Sequence, residues 1–194
     1  MSRYDASTAL IVVDVQNDFT DPGGGLYVSG GETIVPLVNA EVDAATAAGA
    51  HVFYTQDWHP PSTPHFAKDG GSWPVHCVAG TPGAELYPEL RVLGPVVRKG
   101  SAGEDGYSGF SQREPGRAAT TPTSLDGDLR TAGIRRLVIV GLALDVCVKE
   151  TALDGRRLGY DVAVLREATR PVELVAGDGE RSLGELAAAG VTVS

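Results

Sequence analysis

Two cysteines, four histidines and a handful of acids at segment ends carry the reactive chemistry available to this 194-residue chain. Cys147 closes the run Gly141-Leu-Ala-Leu-Asp-Val-Cys147, at a turn between an apolar segment and an amphipathic one. A cysteine that opens a helix meets unpaired N–H groups and the positive end of the helix dipole, which favour a thiolate. A free thiol, with a pKa near ~8.5, is mostly protonated at neutral pH, so a nucleophile there gains from a base and a nearby cation. Asp14, ending Thr8-Ala-Leu-Ile-Val-Val-Asp14, can be the base, and Lys99, in Arg98-Lys99-Gly100, the cation. Each residue alone has an ordinary role open to it: the acid as a turn residue, the lysine as a solvated charge, the cysteine as packing.

A second constellation lies in one long loop. Asp57-Trp58-His59 follows an apolar segment, His65 comes six residues later, and His76 sits in Trp73-Pro-Val-His-Cys77. An Asp-x-His pair on extended chain can approach one ion, and a more distant histidine completes the set. Zinc or iron(II) suits these ligands, and manganese is a further candidate. Three of the four histidines fall in this stretch, whereas His51 opens a strand and reads as structural. Cys77, beside His76, is left between packing, ligation and redox sensing.

The elements that must position these residues alternate along the chain. Short β-branched runs at 8–14, 51–56, 95–98, 136–141, 161–165 and 191–193 read as strands. Helical spacing appears from Thr33, a candidate cap, to Gly49, then at 123–132, 145–158 and 181–189. Such alternation predicts a single-domain, three-layer α/β/α fold with a mainly parallel central sheet. Ligands in such sheets sit beyond the carboxyl ends of the strands, where Asp14, Lys99 and Cys147 all fall.

Sixteen Lys and Arg against twenty-five Asp and Glu give a net charge of -9 with no basic run to neutralise a phosphate backbone, which disfavours nucleic acid as a partner. No stretch approaches the ~20 apolar residues of a membrane span, and the start Met-Ser-Arg-Tyr-Asp leads into a strand rather than a signal region, so no membrane partner and a cytoplasmic location are expected. Two cysteines do not make a disulfide framework. Homo-oligomerisation is left open.

Six motifs in order resemble the nicotinamidase (pyrazinamidase) branch of the isochorismatase-like cysteine hydrolases: Val13-Asp-Val-Gln-Asn-Asp-Phe19, Asp57-Trp-His59 with His65, Trp73-Pro-Val-His-Cys-Val-Ala-Gly-Thr-Pro82, Lys99-Gly100, Tyr107-Ser-Gly-Phe110 and Gly141 to Cys147. The resemblance implies a triad of Asp14, Lys99 and Cys147, metal ligands Asp57, His59 and His76 with His65 as a fourth that not every relative uses, and a pocket in which Phe19 and Trp73 flank a nicotinamide ring while Tyr107 lines the wall or anchors the loop. It also implies a cis peptide between Leu142 and Ala143, and a contact of Asn17 with a metal-bound water. The backbone N–H groups of Ala143 and Cys147 are placed at the strand-to-helix turn to hold an oxyanion. The implied activity is hydrolysis of nicotinamide to nicotinic acid and ammonia through a cysteine thioester, in NAD salvage, with one divalent transition metal and a small-molecule substrate. Leu144 and Val146 depart from the Thr and the aromatic or His that commoner versions of the nucleophile motif carry, which leaves pocket shape open. A hydrolase of another small amide or of an isochorismatase-like substrate, a catalytically silent sensor and a structural metal module are the rival readings.

Overall fold

The computed structural model describes residues 3–194. Strand β1 (Thr8–Val13) is followed by a short helix α1 (Asn17–Thr20), the long helix α2 (Gly31–Ala47), and strands β2 (His51–Asp57) and β3 (Val96–Lys99). A ribbon, β4 (Ser111–Arg113) and β5 (Thr120–Pro122), precedes α3 (Leu125–Thr131) and β6 (Arg136–Leu142). A π-turn (Leu144–Val148) leads into α4 (Lys149–Arg157), then β7 (Asp161–Arg170), α5 (Asp178–Ala188) and β8 (Thr192–Val193).

Six strands form one sheet in the order β3-β2-β1-β6-β7-β8, and every neighbouring pair is parallel. The strands are apolar runs because both faces are covered. Leu10 and Val12 face one side and pack with Ile34, Val35, Val38, Val42 and Ala45 of α2. Ala9, Ile11 and Val13 face the other side and pack with Leu125 and Leu129 of α3, Val148 and Ala152 at the start of α4, and Leu186 of α5. Burial of each such side chain contributes roughly 1.5–3 kcal/mol, so a one-residue slip of β1 would exchange two apolar sets at once. The expected three-layer fold is thus present, and its sheet is wholly parallel.

The strand order reverses at β1, which has β2 on one side and β6 on the other, so a crevice opens beyond the carboxyl ends of these two strands. Val13 and Gly141 are register partners at that point. Gly141 has φ +110°, and a Cβ there would lie 2.1 Å from the Val13 carbonyl oxygen, so only glycine lets β6 approach β1 while turning toward Cys147.

Local details differ from the sequence reading. Thr33 does not cap α2: the cap lies three residues earlier, at left-handed Gly30, and the Thr33 hydroxyl donates back to the Gly30 carbonyl at 2.6 Å. Strand β7 extends five residues beyond Leu165, with a register shift between Ile139 and Gly141 on its neighbour. The ribbon β4–β5 was not expected, because its residues are mostly exposed and show no alternation of apolar and polar positions. No helix among the described residues is long and apolar enough to cross a membrane.

Candidate active site and metal centre

Register explains the first half of the site. Asp57 and Lys99, the last residues of β2 and β3, are paired across the two strands and so lie on one face of the sheet, where the Lys99 ammonium donates to Asp57 Oδ1. Asp14, one residue past β1, takes a left-handed φ of 48°, a conformation that aspartate adopts more readily than most residues. Its Oδ2 lies 2.6 Å from Lys99 Nζ, and its Oδ1 accepts a hydrogen bond from the Thr55 hydroxyl at 2.6 Å. Lys99 also donates to the Gly106 carbonyl, and its Nζ lies 3.7 Å from Cys147 Sγ. Asp14 and Lys99 are fully buried, and Cys147 is 7% exposed.

One ammonium between two carboxylates leaves a net negative charge beside the thiol, with electrostatic consequences for all four groups. Burial pushes the Asp14 carboxyl up to about 6 in spite of Lys99. Burial also disfavours charge on Asp57, yet Lys99, with His59 and His76, holds that carboxyl well below the usual carboxylate range. Lys99 loses solvation by burial, but Asp14 and Asp57 hold it charged well above its usual range. Burial pushes the Cys147 thiol well above its ordinary value; Lys99 offsets part of this, while Asp14 and Asp57 reinforce it. The helix-opening position and Lys99 both favour a thiolate, yet burial outweighs Lys99 at Cys147, so the thiol depends on a base for its activation, as the sequence reading has it.

The second half of the site lies beside the first. Ligand atoms of His59, His65 and His76 lie within 4.8 Å of one another, and all three side chains are buried. His76 Nδ1 is 2.7 Å from the Pro74 carbonyl, and His65 Nδ1 is 2.7 Å from Asp105 Oδ1. With protons on those Nδ1 atoms, the Nε2 lone pairs of both rings are free to ligate. Both ring nitrogens of His59 are buried and lack a hydrogen-bond partner among the described residues. Asp57 Oδ2 lies 3.7 Å from His59 Nε2 and 3.9 Å from His76 Nε2, so this carboxylate bridges the lysine and the imidazole cluster. Burial holds His65 below its usual value and His76 down to about 4, keeping their rings neutral at physiological pH. Three convergent imidazoles with one carboxylate, and an orphaned buried ring, fit a divalent transition metal.

A cavity joins the halves, bordered by Phe19, Leu26, Trp73, Tyr107, Val146 and Val172 together with Asp57, His65, His76, Gly106, Ala143 and Cys147. Trp73 Nε1–H donates to the Tyr107 hydroxyl at 2.9 Å, and Phe19 lies 5.4 Å from His76 by ring centroids. The peptide between Leu142 and Ala143 is cis, as the family resemblance implied. These features, a cysteine on a strand-to-helix turn, an acid and a lysine on neighbouring strand ends and a histidine loop over them, match a known domain. The isochorismatase domain model covers residues 8–194.

The chain belongs to the isochorismatase family.

The nicotinamidase of Escherichia coli is 37% identical over 203 aligned residues, 95% of this chain and 93% of that enzyme. Among solved structures, the pyrazinamidase of Pyrococcus horikoshii in complex with zinc superposes with a TM-score of 0.86 at 38% identity, covering 97% of this chain and 98% of the other. PnC1 from L. infantum in complex with nicotinate gives a TM-score of 0.88 at 35% identity, covering 98% and 94%.

The structure brings together Asp14, Lys99, Cys147, Asp57, His59, His65, His76, Phe19, Trp73, Tyr107 and Ala143. Asn17 is engaged elsewhere, its amide donating to the Pro82 carbonyl at 2.7 Å. Cys77 lies in the apolar core, with its N–H on the Asp18 carboxylate at 2.7 Å. Gln16 escaped the sequence reading although it lies in the Asp14 motif; its amide donates to Asp57 O and its Oε1 accepts Asp57 N–H, both at 2.8 Å, which fixes the end of β2. Thr55 was signalled only by its position two residues before Asp57, on the same face of β2. Leu26 and Val172 of the cavity wall carried no local signal. Val172 is placed by Asp145, whose carboxylate accepts the N–H groups of Val172 and Glu173 at 2.8 and 2.9 Å.

Proposed function

We propose that this chain is a metal-dependent amidohydrolase that converts nicotinamide to nicotinic acid and ammonia in NAD salvage, its residues 1–194 acting as one hydrolase domain. The observation that carries this reading is the placement, around one cavity, of a buried thiol 3.7 Å from a lysine shared by two carboxylates, a cluster of three buried histidines and a wall of aromatic side chains. Nicotinamidases aligned over nearly the whole chain, and a relative bound to nicotinate, support the choice of ring.

Asp14 takes the thiol proton as Cys147 Sγ attacks the carboxamide carbon. Proton transfer and attack proceed together, since burial disfavours a free thiolate here. Charge moving onto the carbonyl oxygen is received by the backbone N–H groups of Ala143 and Cys147. Collapse breaks the C–N bond, and Asp14 returns its proton to the leaving nitrogen, which departs as ammonia. The thioester is cleaved by a water whose proton passes to Asp14 and then to the released sulfur. Lys99 holds the Asp14 side chain beside the thiol and favours its charged form each time the proton has been passed on. Asp57, His59, His65 and His76 would hold a divalent metal, which would supply Lewis-acid character toward the heterocycle. Phe19 and Trp73 flank the heterocycle, and the Trp73–Tyr107 hydrogen bond keeps that wall in place. Two unpaired cysteines suit a reducing compartment, and we place the enzyme in the cytoplasm.

The deciding experiment is ammonia release from nicotinamide by zinc- or iron-loaded protein, beside Cys147→Ala and a chelated sample. Release is expected from the loaded wild type alone, with the chelated protein still folded by circular dichroism because both apolar layers are built mainly from the strands and helices rather than from the histidine loop. No release from loaded, folded wild type would overturn the assignment.

A further inference from the structure

Residues 105–107 leave the loop after β3 and each takes a partner in the site: Asp105 on His65, the Gly106 carbonyl on Lys99, and the Tyr107 hydroxyl on Trp73. Asp105 is the member of this run whose role the nucleophile chemistry does not absorb. Its Oδ1 lies 2.7 Å from His65 Nδ1, across forty positions of sequence, and its side chain is 12% exposed. The carboxylate is itself held. Asp105 N–H donates to Arg113 O at 2.7 Å, Arg113 N–H returns to Asp105 O at 3.3 Å, and Arg113 Nη2 lies 3.6 Å from Asp105 Oδ2. The ribbon thus braces an acid that addresses one histidine of the cluster.

We infer that Asp105 is a positioning residue for His65, fixing the proton on Nδ1 so that Nε2 faces the metal and makes His65 a ligand in this chain. The inference rests on the proposed metal-dependent reading of the site. An imidazole whose far nitrogen donates to a carboxylate is held in one tautomer and one ring orientation and is the more basic ligand for it. Without Asp105, Nδ1 has no fixed acceptor, and the ring can carry its proton on Nε2, where it blocks ligation. The main competing position for a fixed orientation, stacking of His65 on His59 with centroids 4.6 Å apart, restrains the plane of the ring but not its tautomer.

The test is zinc affinity, measured by competition with a chromophoric chelator on full-length Asp105→Ala, Asp105→Asn, His65→Ala and the double variant, with folding checked by circular dichroism. Asp105→Ala should bind zinc about 10–100-fold more weakly, as loss of an outer partner does at other metal centres. Asp105→Asn, which keeps an oxygen acceptor without the charge, should fall between it and the wild type. Adding Asp105→Ala to His65→Ala should change affinity less than about twofold, because the acid acts only through that ring. Unchanged zinc affinity in Asp105→Ala, an equal further loss in the His65→Ala background, or failure of the wild type to bind zinc overturns the inference. Zinc affinity is read without substrate, so failure of the nicotinamide reading shows separately as absent ammonia release by zinc-loaded protein.

Discussion

Replacing Asp14 by asparagine separates what this site gains in chemistry from what it costs in stability. Asparagine keeps the shape of the side chain, and its Oδ1 can still accept the Thr55 hydroxyl, 2.6 Å away in the native protein. It cannot accept a proton. General acid–base catalysis by one residue contributes about 10²–10⁴-fold. Asp14 serves the thiol, the leaving nitrogen and the water in turn, so turnover should fall by about 10⁴, equivalent to about 5.5 kcal/mol of barrier. Stability should move the other way. Burial holds the Asp14 carboxyl up to about 6, against roughly 3.9 in an unstructured chain. A group whose pKa is raised by folding contributes stability that is fully present below its unfolded value and lost as pH rises through the folded one. Between about pH 4 and pH 6 the wild type therefore gives up about 3 kcal/mol on account of Asp14. Asparagine imitates the neutral carboxyl at every pH, so Asp14→Asn should match the wild type in urea melts near pH 4 and exceed it at pH 8 by up to about 3 kcal/mol. Paired ammonia-release and urea-melt series from pH 4 to 8 measure both effects, and wild-type activity should decline below about pH 6 as Asp14 is protonated. Turnover within about tenfold of wild type would refute Asp14 as the base, and a variant less stable than wild type at pH 8 would refute burial as the dominant influence on it.

Lys99→Ala should lower turnover more than it weakens binding, and should destabilise the fold by about 3–5 kcal/mol by leaving two buried carboxylates without their cation. In the wild type Asp57 is held low, so its contribution is present above the ordinary carboxylate range and is lost as pH falls. In the variant both acids shift upward, so urea melts should find it closer to wild type at pH 5 than at pH 8; unchanged turnover would remove Lys99 from the mechanism. Gly141→Ala places a methyl 2.1 Å from the Val13 carbonyl at a φ of +110°. A loss of about 3 kcal/mol or more is expected, and denaturant melts within about 1 kcal/mol of wild type would mean that β6 can shift off β1.

Much of this site is legible in the chain because its residues stand where apolar runs stop. Val13 precedes Asp14, Val97 lies two before Lys99, and the run from Arg136 to Leu142 ends just before the turn that carries Cys147. Continuous β-branched segments separated by helical spacing allow few arrangements other than a covered parallel sheet. The three histidines in one Pro- and Gly-rich loop announce a metal centre by ligand type alone. The net charge of -9 disfavours nucleic acid without reference to any fold. The family resemblance also implies the cis peptide at Leu142–Ala143, which the structure contains.

What tertiary structure alone decides is which charges face one another. Asp57 reads as a metal ligand in the sequence, yet its pairing with Lys99 follows from the register of β2 on β3, set by burial of neighbouring residues rather than by either charge. Burial, before any charge, pushes the Cys147 thiol well above its ordinary value; Lys99 offsets part of this, while Asp14 and Asp57 reinforce it. Asp105 reaches His65 only because a ribbon of exposed residues, without periodicity, folds back over the site. Composition and periodicity report how each segment meets water, which is local. The protonation state of a buried thiol depends on every charge within a few ångströms in a medium of low dielectric, and those neighbours come from distant parts of the chain.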